Sequence, residues 1–129
     1  MDKRPVTRRG HHDLKAWQNA MHLVRRVYAA TSTFPQREQF GLTAQLRRAA
    51  VSVPSNIAEG AARESAKEFA QFLVIARGSL SEIETQLMIA ADLGYLSSES
   101  YDGLADIVNT AFALIGGLLR SVRAKLSSH

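Results

Sequence analysis

Leu46-Arg-Arg-Ala-Ala-Val-Ser-Val-Pro-Ser-Asn-Ile-Ala-Glu-Gly60 carries one apolar stripe straight through a proline. At about 100° per residue, Leu46, Ala49, Ala50, Val53 and Ile57 share one sector, and Arg48, Ser52, Ser55 and Glu59 lie opposite. Val51 is the one large apolar residue off the stripe. Proline inside a helix costs about 3 kcal/mol and disfavours helical geometry at the residue before it. A stripe that keeps its phase past Pro54 therefore predicts one kinked helix held by its neighbours, not two helices.

Three more helices follow from the flanking sequence. Upstream, Leu14, Trp17, Met21, Val24 and Tyr28 recur at spacings of three and four, a seam for packing against other helices, with Asp13 as N-cap and Phe34-Pro35 as the stop. A short polar link through Gly41 leads into the proline helix. Downstream, Ser65-Ala-Lys-Glu68 reads as a capping box. From there Phe69, Leu73, Ala76, Leu80, Ile83, Leu87 and Ala90 continue a seam to Gly94, a helix of roughly 40 Å. Ser97 or Ser98 caps the fourth helix, whose Glu99 and Asp102 at the start and Arg120, Arg123 and Lys125 at the end suit the helix dipole. Short links favour antiparallel neighbours, so the fold class is all-α: an up-and-down four-helix bundle spanning residues 13–129, preceded by a mobile basic tail at 1–12.

Between Leu104 and Leu119 the polar side chains are Asp106, Asn109 and Thr110. One core uses one stripe of a helix, so the surplus apolar surface predicts a homo-oligomer with Phe112, Ile115 and Leu119 at the interface, joined by Phe72, Ile75 and Ile89 from the third helix. Gly116-Gly117 inside this helix predicts that another backbone comes close.

With 129 residues the chain is one domain that can bury a real core, and it contains no cysteine. The basic N-terminal stretch has no apolar run behind it, and the longest apolar stretch, Ala111 to Leu119, falls short of the roughly 20 residues that cross a bilayer. The expectation is a cytoplasmic protein without membrane contact. Charge is segregated along the chain. Residues 1–58 hold ten Lys/Arg against three Asp/Glu, residues 59–119 three against nine, and residues 120–129 three against none. That pattern fits either a basic face for nucleic acid or complementary surfaces that meet within a bundle or between subunits.

The chain resembles the 23S rRNA intervening-sequence protein family, also called four helix bundle proteins. The resemblance runs from about Asp13 to Leu126, through Asp13-Leu-Lys-Ala-Trp-Gln18, Tyr28, Phe34-Pro35, Gly41-Leu-Thr43, Arg47 to Gly60, Arg63 with Ser65, Lys67-Glu-Phe69, Gly78 to Leu87 and Gly94-Tyr-Leu96. Ala61-Ala62 stand where relatives often carry a bulkier or glycine-containing pair. The resemblance implies an antiparallel bundle in a homo-oligomeric ring, a pentamer. The family is named from reading frames inside insertions of 23S rRNA genes, and some relatives look like accessory proteins of diversity-generating retroelements, basic rings that engage a reverse transcriptase and nucleic acid.

Motifs for catalysis and cofactors are not evident. The four histidines lack one-turn metal-ligand spacing, and His22 has Arg25 and Arg26 one turn on. Glu82 and Glu84 project roughly 200° apart and cannot pair as acid and base. Ser52, Ser55, Ser79 and Ser81 have no activating His or Lys in view, and Gly116-Gly117 lacks the lysine-serine continuation of a phosphate loop. The reading is a non-enzymatic protein with no metal and no cofactor. Its candidate phosphate-binding residues are Arg25, Arg26, Arg47, Arg48 and Arg63, for RNA or DNA, with RNA favoured through the resemblance. The alternative is a scaffold whose charges serve self-assembly or an acidic protein partner. Trp17 and Tyr28 read as core residues, so binding led by phosphates and weak in sequence preference is expected.

Overall fold

The computed structural model describes residues 10–127 and is helical throughout: α1 Lys15–Thr31, α2 Leu42–Ala61, α3 Ala66–Asp92 and α4 Ser98–Ser127, with 3-10 turns at Gly10–Asp13 and Gln36–Glu38. Each helix packs against the next, and α4 closes against α1, giving an up-and-down four-helix bundle. Leu23, Leu46, Ile57, Leu73, Leu80, Ile83, Leu104, Ile115 and Leu119 are its largest fully buried side chains.

The helix ends follow local chemistry. Helix α2 runs unbroken through Pro54, and its buried face holds Leu46, Ala49, Ala50, Val53 and Ile57, the stripe visible in the sequence. At α3 the Ser65 hydroxyl accepts from the Glu68 N–H at 3.2 Å, but the Glu68 carboxylate lies 3.9 Å from Arg63, so the capping box is half formed. Gly94, at φ 80°, ends α3 with Tyr95 N–H on the Ala90 carbonyl at 2.9 Å and Gly94 N–H on Ala91 at 3.0 Å. Ser97 is the cap of α4, its hydroxyl accepting from the Ser100 N–H.

Several expectations change. Asp13 is not the N-cap of α1: it closes the preceding 3-10 turn, and Leu14 stands at the cap without a side-chain bond. Residues 10–12, read as the end of a mobile tail, form that turn, with the rings of His11 and His12 5.3 and 4.9 Å from Trp17; residues 1–9 and 128–129 lie outside the described residues. The core face of α1 is Ala16, Ala20, Leu23, Val27 and Thr31, and the expected seam of Trp17, Met21 and Val24 lies beside it, lining a groove against α2. Tyr28 is exposed, not core.

Ile115 and Leu119 are 0% and 1% exposed within a single chain, so they belong to the bundle core and cannot meet a partner. Phe112 is half-buried against the same core. Within the chain, no backbone of another described segment lies within 4 Å of a Cβ placed at Gly116 or Gly117, which instead meets the Arg120 guanidinium at 3.6 and 3.7 Å. By length and composition α4 could cross a membrane, which the broken apolar run did not suggest; in the bundle its Leu104, Val108, Ala111, Ile115, Leu119 and Val122 are core. Large exposed apolar side chains gather instead on α3, at Val74, Ile75, Met88, Ile89 and the following Leu93.

The two links at one end of the bundle are pinned together by Glu38. Its carboxylate accepts from the Leu42 N–H at 3.1 Å, at the start of α2, and from the Tyr95 hydroxyl at 2.9 Å. The backbone bond first, then the Tyr95 bond, and to a lesser extent Arg37, outweigh desolvation and hold the Glu38 carboxyl below the ordinary carboxylate value. A carboxyl with a lowered folded-state pKa stabilises the fold above its unfolded value, and that contribution is lost as pH falls through the folded value. Glu38→Gln is therefore expected to melt below the wild type at neutral pH, with the gap closing as pH drops through and below the ordinary carboxylate range. Thermal melts across a pH series check this; a gap that ignores pH sinks the assignment.

Candidate nucleic-acid interface

The five arginines singled out from sequence divide into engaged and unengaged groups. Arg47 reaches from α2 to the end of α1, its Nε donating to Thr31 Oγ1 at 2.8 Å and Nη2 to the Tyr28 carbonyl at 3.4 Å, with the guanidinium 4.5 Å from the Tyr28 ring centre. A cation bonded to the last carbonyls of a helix complements its dipole, so Arg47 is a clamp between α1 and α2. Arg63, after α2, pairs with Glu59 at 3.4 Å and Glu68 at 3.9 Å and lies 5.1 Å from the Phe72 ring centre. Both pairs are exposed and contribute little to stability. Arg63 stands roughly 24 Å along α2 from Arg47, at the opposite end of the bundle.

Arg25, Arg26 and Arg48 have no carboxylate partner among the described residues. Arg25 and Arg26 lie in the last two turns of α1, and Arg48 in the first two turns of α2. Arg37, in the link between these helices, joins them and was missed from sequence because that link reads simply as polar. These arginines lie on the α1/α2 half of one end of the bundle without forming a single flat face. Arg26 lines a hollow of about 470 Å³ between α1 and α4, with Thr33, Ser97, Ser100 and Leu104 among its other lining residues. Arg48 lines a second, of about 400 Å³, between α2 and α3 with Gln45, Ser52, Ser79, Glu82 and Gln86.

Of the stripe Arg48, Ser52, Ser55 and Glu59 read from the sequence, Arg48 and Ser52 line that second hollow, whereas Ser55 lines a groove between α1 and α2 and Glu59 pairs with Arg63. The Ser52 and Ser79 hydroxyls share a hydrogen bond of 2.8 Å across the helices, and Asn56 Nδ2 donates to the Ser52 carbonyl and hydroxyl at 2.8 and 2.9 Å. The Gln86 Oε1 is buried without a partner. No group of three or more His, Cys, Asp or Glu side chains gathers as a metal cage among the described residues.

The basic residues occupy half of this end. The halves of α3 and α4 nearest to it carry Glu82, Glu84, Asp92, Glu99, Asp102 and Asp106 with no Lys or Arg, whereas the corresponding halves of α1 and α2 carry Arg25, Arg26, Arg47 and Arg48 with no Asp or Glu. Exposed aromatics, not expected from sequence, also stand on the basic side: Tyr28 is 42% exposed and Phe40 89%. The readable signal for Phe40 was an aromatic residue in a short link, between Pro35 and Gly41, where no helix stripe can absorb it.

Fold and surface together define an all-α bundle protein with a divided, half-basic end. The chain belongs to the 23S rRNA-intervening sequence protein family, whose family model matches residues 12–117. Among solved structures it is similar to a protein of unknown function of the S23 ribosomal protein family from Bacteroides thetaiotaomicron VPI-5482, at 21% identity and a TM-score of 0.74, over 81% of this chain and 95% of that one. That likeness shows the fold. No curated protein matches the chain.

Proposed function

We propose that this chain is a non-enzymatic homo-oligomer that binds nucleic acid through phosphate contacts, with little sequence selectivity. The observation that carries the reading is the set of Arg25, Arg26 and Arg48 at one end with no carboxylate partner among the described residues, with Arg37 in the link between their helices. Forked guanidinium donors suit phosphate oxygens, and an assembly multiplies a modest patch by its number of copies. RNA is favoured over DNA through the rRNA-gene origin of the family name.

Self-assembly fits the same surface. The basic α1/α2 side holds an apolar groove lined by Trp17, Met21, Val24, Val51 and Pro54, and the acidic α3 exposes Val74, Ile75, Met88 and Ile89. Unlike, complementary sides associate head to tail, and such contacts close into a ring where the rotation between copies closes. The reading includes a ring of five copies, a bend of α2 where Pro54 enters the groove, and residence in the cytoplasm away from membranes. Of the interface residues expected from sequence, Ile75 and Ile89 are exposed enough to serve, and Phe72 lies half-buried under Arg63.

A second reading, a scaffold for an acidic protein partner or for self-assembly alone, is favoured by the engagement of Arg47 and Arg63 within the chain. Fluorescence anisotropy with a structured RNA at two salt concentrations separates the two. Binding is expected to fall steeply with salt, and the Arg26→Gln, Arg48→Gln double variant to bind more weakly with a shallower salt slope, by roughly 0.7 to 0.9 per phosphate contact removed. Arg47 is avoided because its loss loosens α1 from α2. Salt-independent binding, or a double variant that elutes as a smaller species, overturns the phosphate reading.

A further inference from the structure

We propose that Phe40 is a stacking platform for an unpaired base, so that the basic end takes single-stranded nucleic acid in preference to duplex. This deepens the nucleic-acid reading above and rests on it.

Phe40 is 89% exposed, far more than any other large apolar side chain among the exposed ones described. It does not sit on a loose loop. The 3-10 turn Gln36–Glu38 precedes it, Gly41 N–H bonds to the Glu38 carbonyl at 3.0 Å, Gln39 N–H to the Gln36 carbonyl at 3.0 Å, and the Glu38 carboxylate fixes both the start of α2 and Tyr95. The link is thus held on both sides of a phenyl ring turned to water, at the tip between two arginine-bearing helices.

The charge around the ring selects the occupant. This part of the chain carries Arg25, Arg26, Arg37, Arg47 and Arg48 against one carboxylate, Glu38, which is already bonded to Leu42 and Tyr95. A second half-exposed ring, Tyr28, stands at the same end under the Arg47 guanidinium. Aromatic rings set among cations are the composition of sites for single strands, where bases stack on side chains while arginines follow the phosphates. In a duplex the base faces are covered by their neighbours, leaving the ring nothing to stack on. The α1/α2 groove of a second copy would cover Phe40 but leave the neighbouring cations unanswered, whereas the acidic α3 of a second copy would meet both, an outcome that sizing of Phe40→Ala detects.

The experiment compares a short labelled oligouridylate with a blunt-ended, two-strand RNA duplex without a loop, using the full chain, Phe40→Ala and Phe40→Trp, with sizing of each protein. Phe40 is expected to supply on the order of tenfold in affinity. Phe40→Ala should lose that factor on the oligouridylate, leave duplex binding and the salt slope unchanged, and elute as the wild type. Phe40→Trp should retain the affinity, and its added fluorescence should be quenched by the oligouridylate. Equal binding by Phe40→Ala with salt dependence intact overturns the stacking role and spares the phosphate reading. A smaller species from Phe40→Ala assigns the ring to a second copy. Wild-type protein that binds neither RNA overturns both.

Discussion

Ile115→Ala is expected to destabilise the chain by about 2–5 kcal/mol, the cost of removing buried methylene groups from a core that refills only in part. For a bundle of this size that lowers the melting temperature by on the order of 10 °C. Ile115 is 0% exposed and faces the same interior as Leu80, Ile83 and Leu119. The loss should not depend on protein concentration, because the cavity forms inside one chain. Ile75→Ala provides the contrast. Ile75 is 52% exposed on α3, so its truncation should cost the isolated fold little and act, where copies meet on that face, by making the midpoint depend on concentration. If Ile115→Ala is near neutral for folding yet dissociates an oligomer, the assignment of α4 to the core is wrong.

Two glycines should respond to the same substitution with opposite signs. A Cβ at Gly60 would lie 2.7 Å from Phe72 Cβ and 2.9 Å from Phe69 Cδ1, where α2 meets the start of α3. The Phe69 ring can yield, but Phe72 Cβ moves only with its backbone, and overpacking of this kind costs about 1–3 kcal/mol. Alanine returns up to about 1 kcal/mol of helix propensity, so Gly60→Ala is expected to lose roughly 1–2 kcal/mol net. At Gly78, on the outer face of α3, a Cβ meets nothing within 4 Å, and Gly78→Ala should gain up to about 1 kcal/mol. Urea denaturation of both variants decides; destabilisation at Gly78 with a concentration-dependent midpoint would place a second copy against that face.

The residues that encode their own environment were legible before any coordinates. Ser65, Gly94 and Ser97 act within four residues of themselves; the first two act where the sequence places them, and Ser97 is the one of the pair Ser97 and Ser98 that forms the cap. The stripe through Pro54 survives because Val53 and Ile57 are buried on either side of it. The face of α1 was misread by about one residue of rotation because small residues carry little weight in a hydrophobic pattern. Ala16 and Ala20 are buried, and the larger Trp17 and Met21 sit at the edge. Helix α4 is apolar on more than one face, so only its neighbours decide that Ile115 and Leu119 point inward while Leu114 and Leu118 lie at the margin.

The arginines were the least legible. Arg47 finds Thr31 sixteen residues away and Arg63 finds Glu59 four away, and long guanidinium side chains leave no periodic trace of such choices. Arg37 and Phe40 escaped because they stand in a link, where no helical period applies. Their interest appears only when the two links at that end are seen pinned by one carboxylate.

The hydroxyl pair between α2 and α3 has a further consequence. Ser52 and Ser79 meet at 2.8 Å at the polar edge of the seam where the apolar stripes of α2 and α3 pack together. Apolar ridges tolerate sliding, since leucine against alanine one turn along buries nearly as much surface. Sliding α3 past α2 by one turn, about 5.4 Å, would separate the two hydroxyls and take Asn56 with Ser52 away from Ser79, leaving half-buried polar groups to seek new partners. The pair thus acts as an index mark, permitting one alignment of two long helices and making neighbouring alignments costly, much as a single buried polar residue sets the register of a coiled coil.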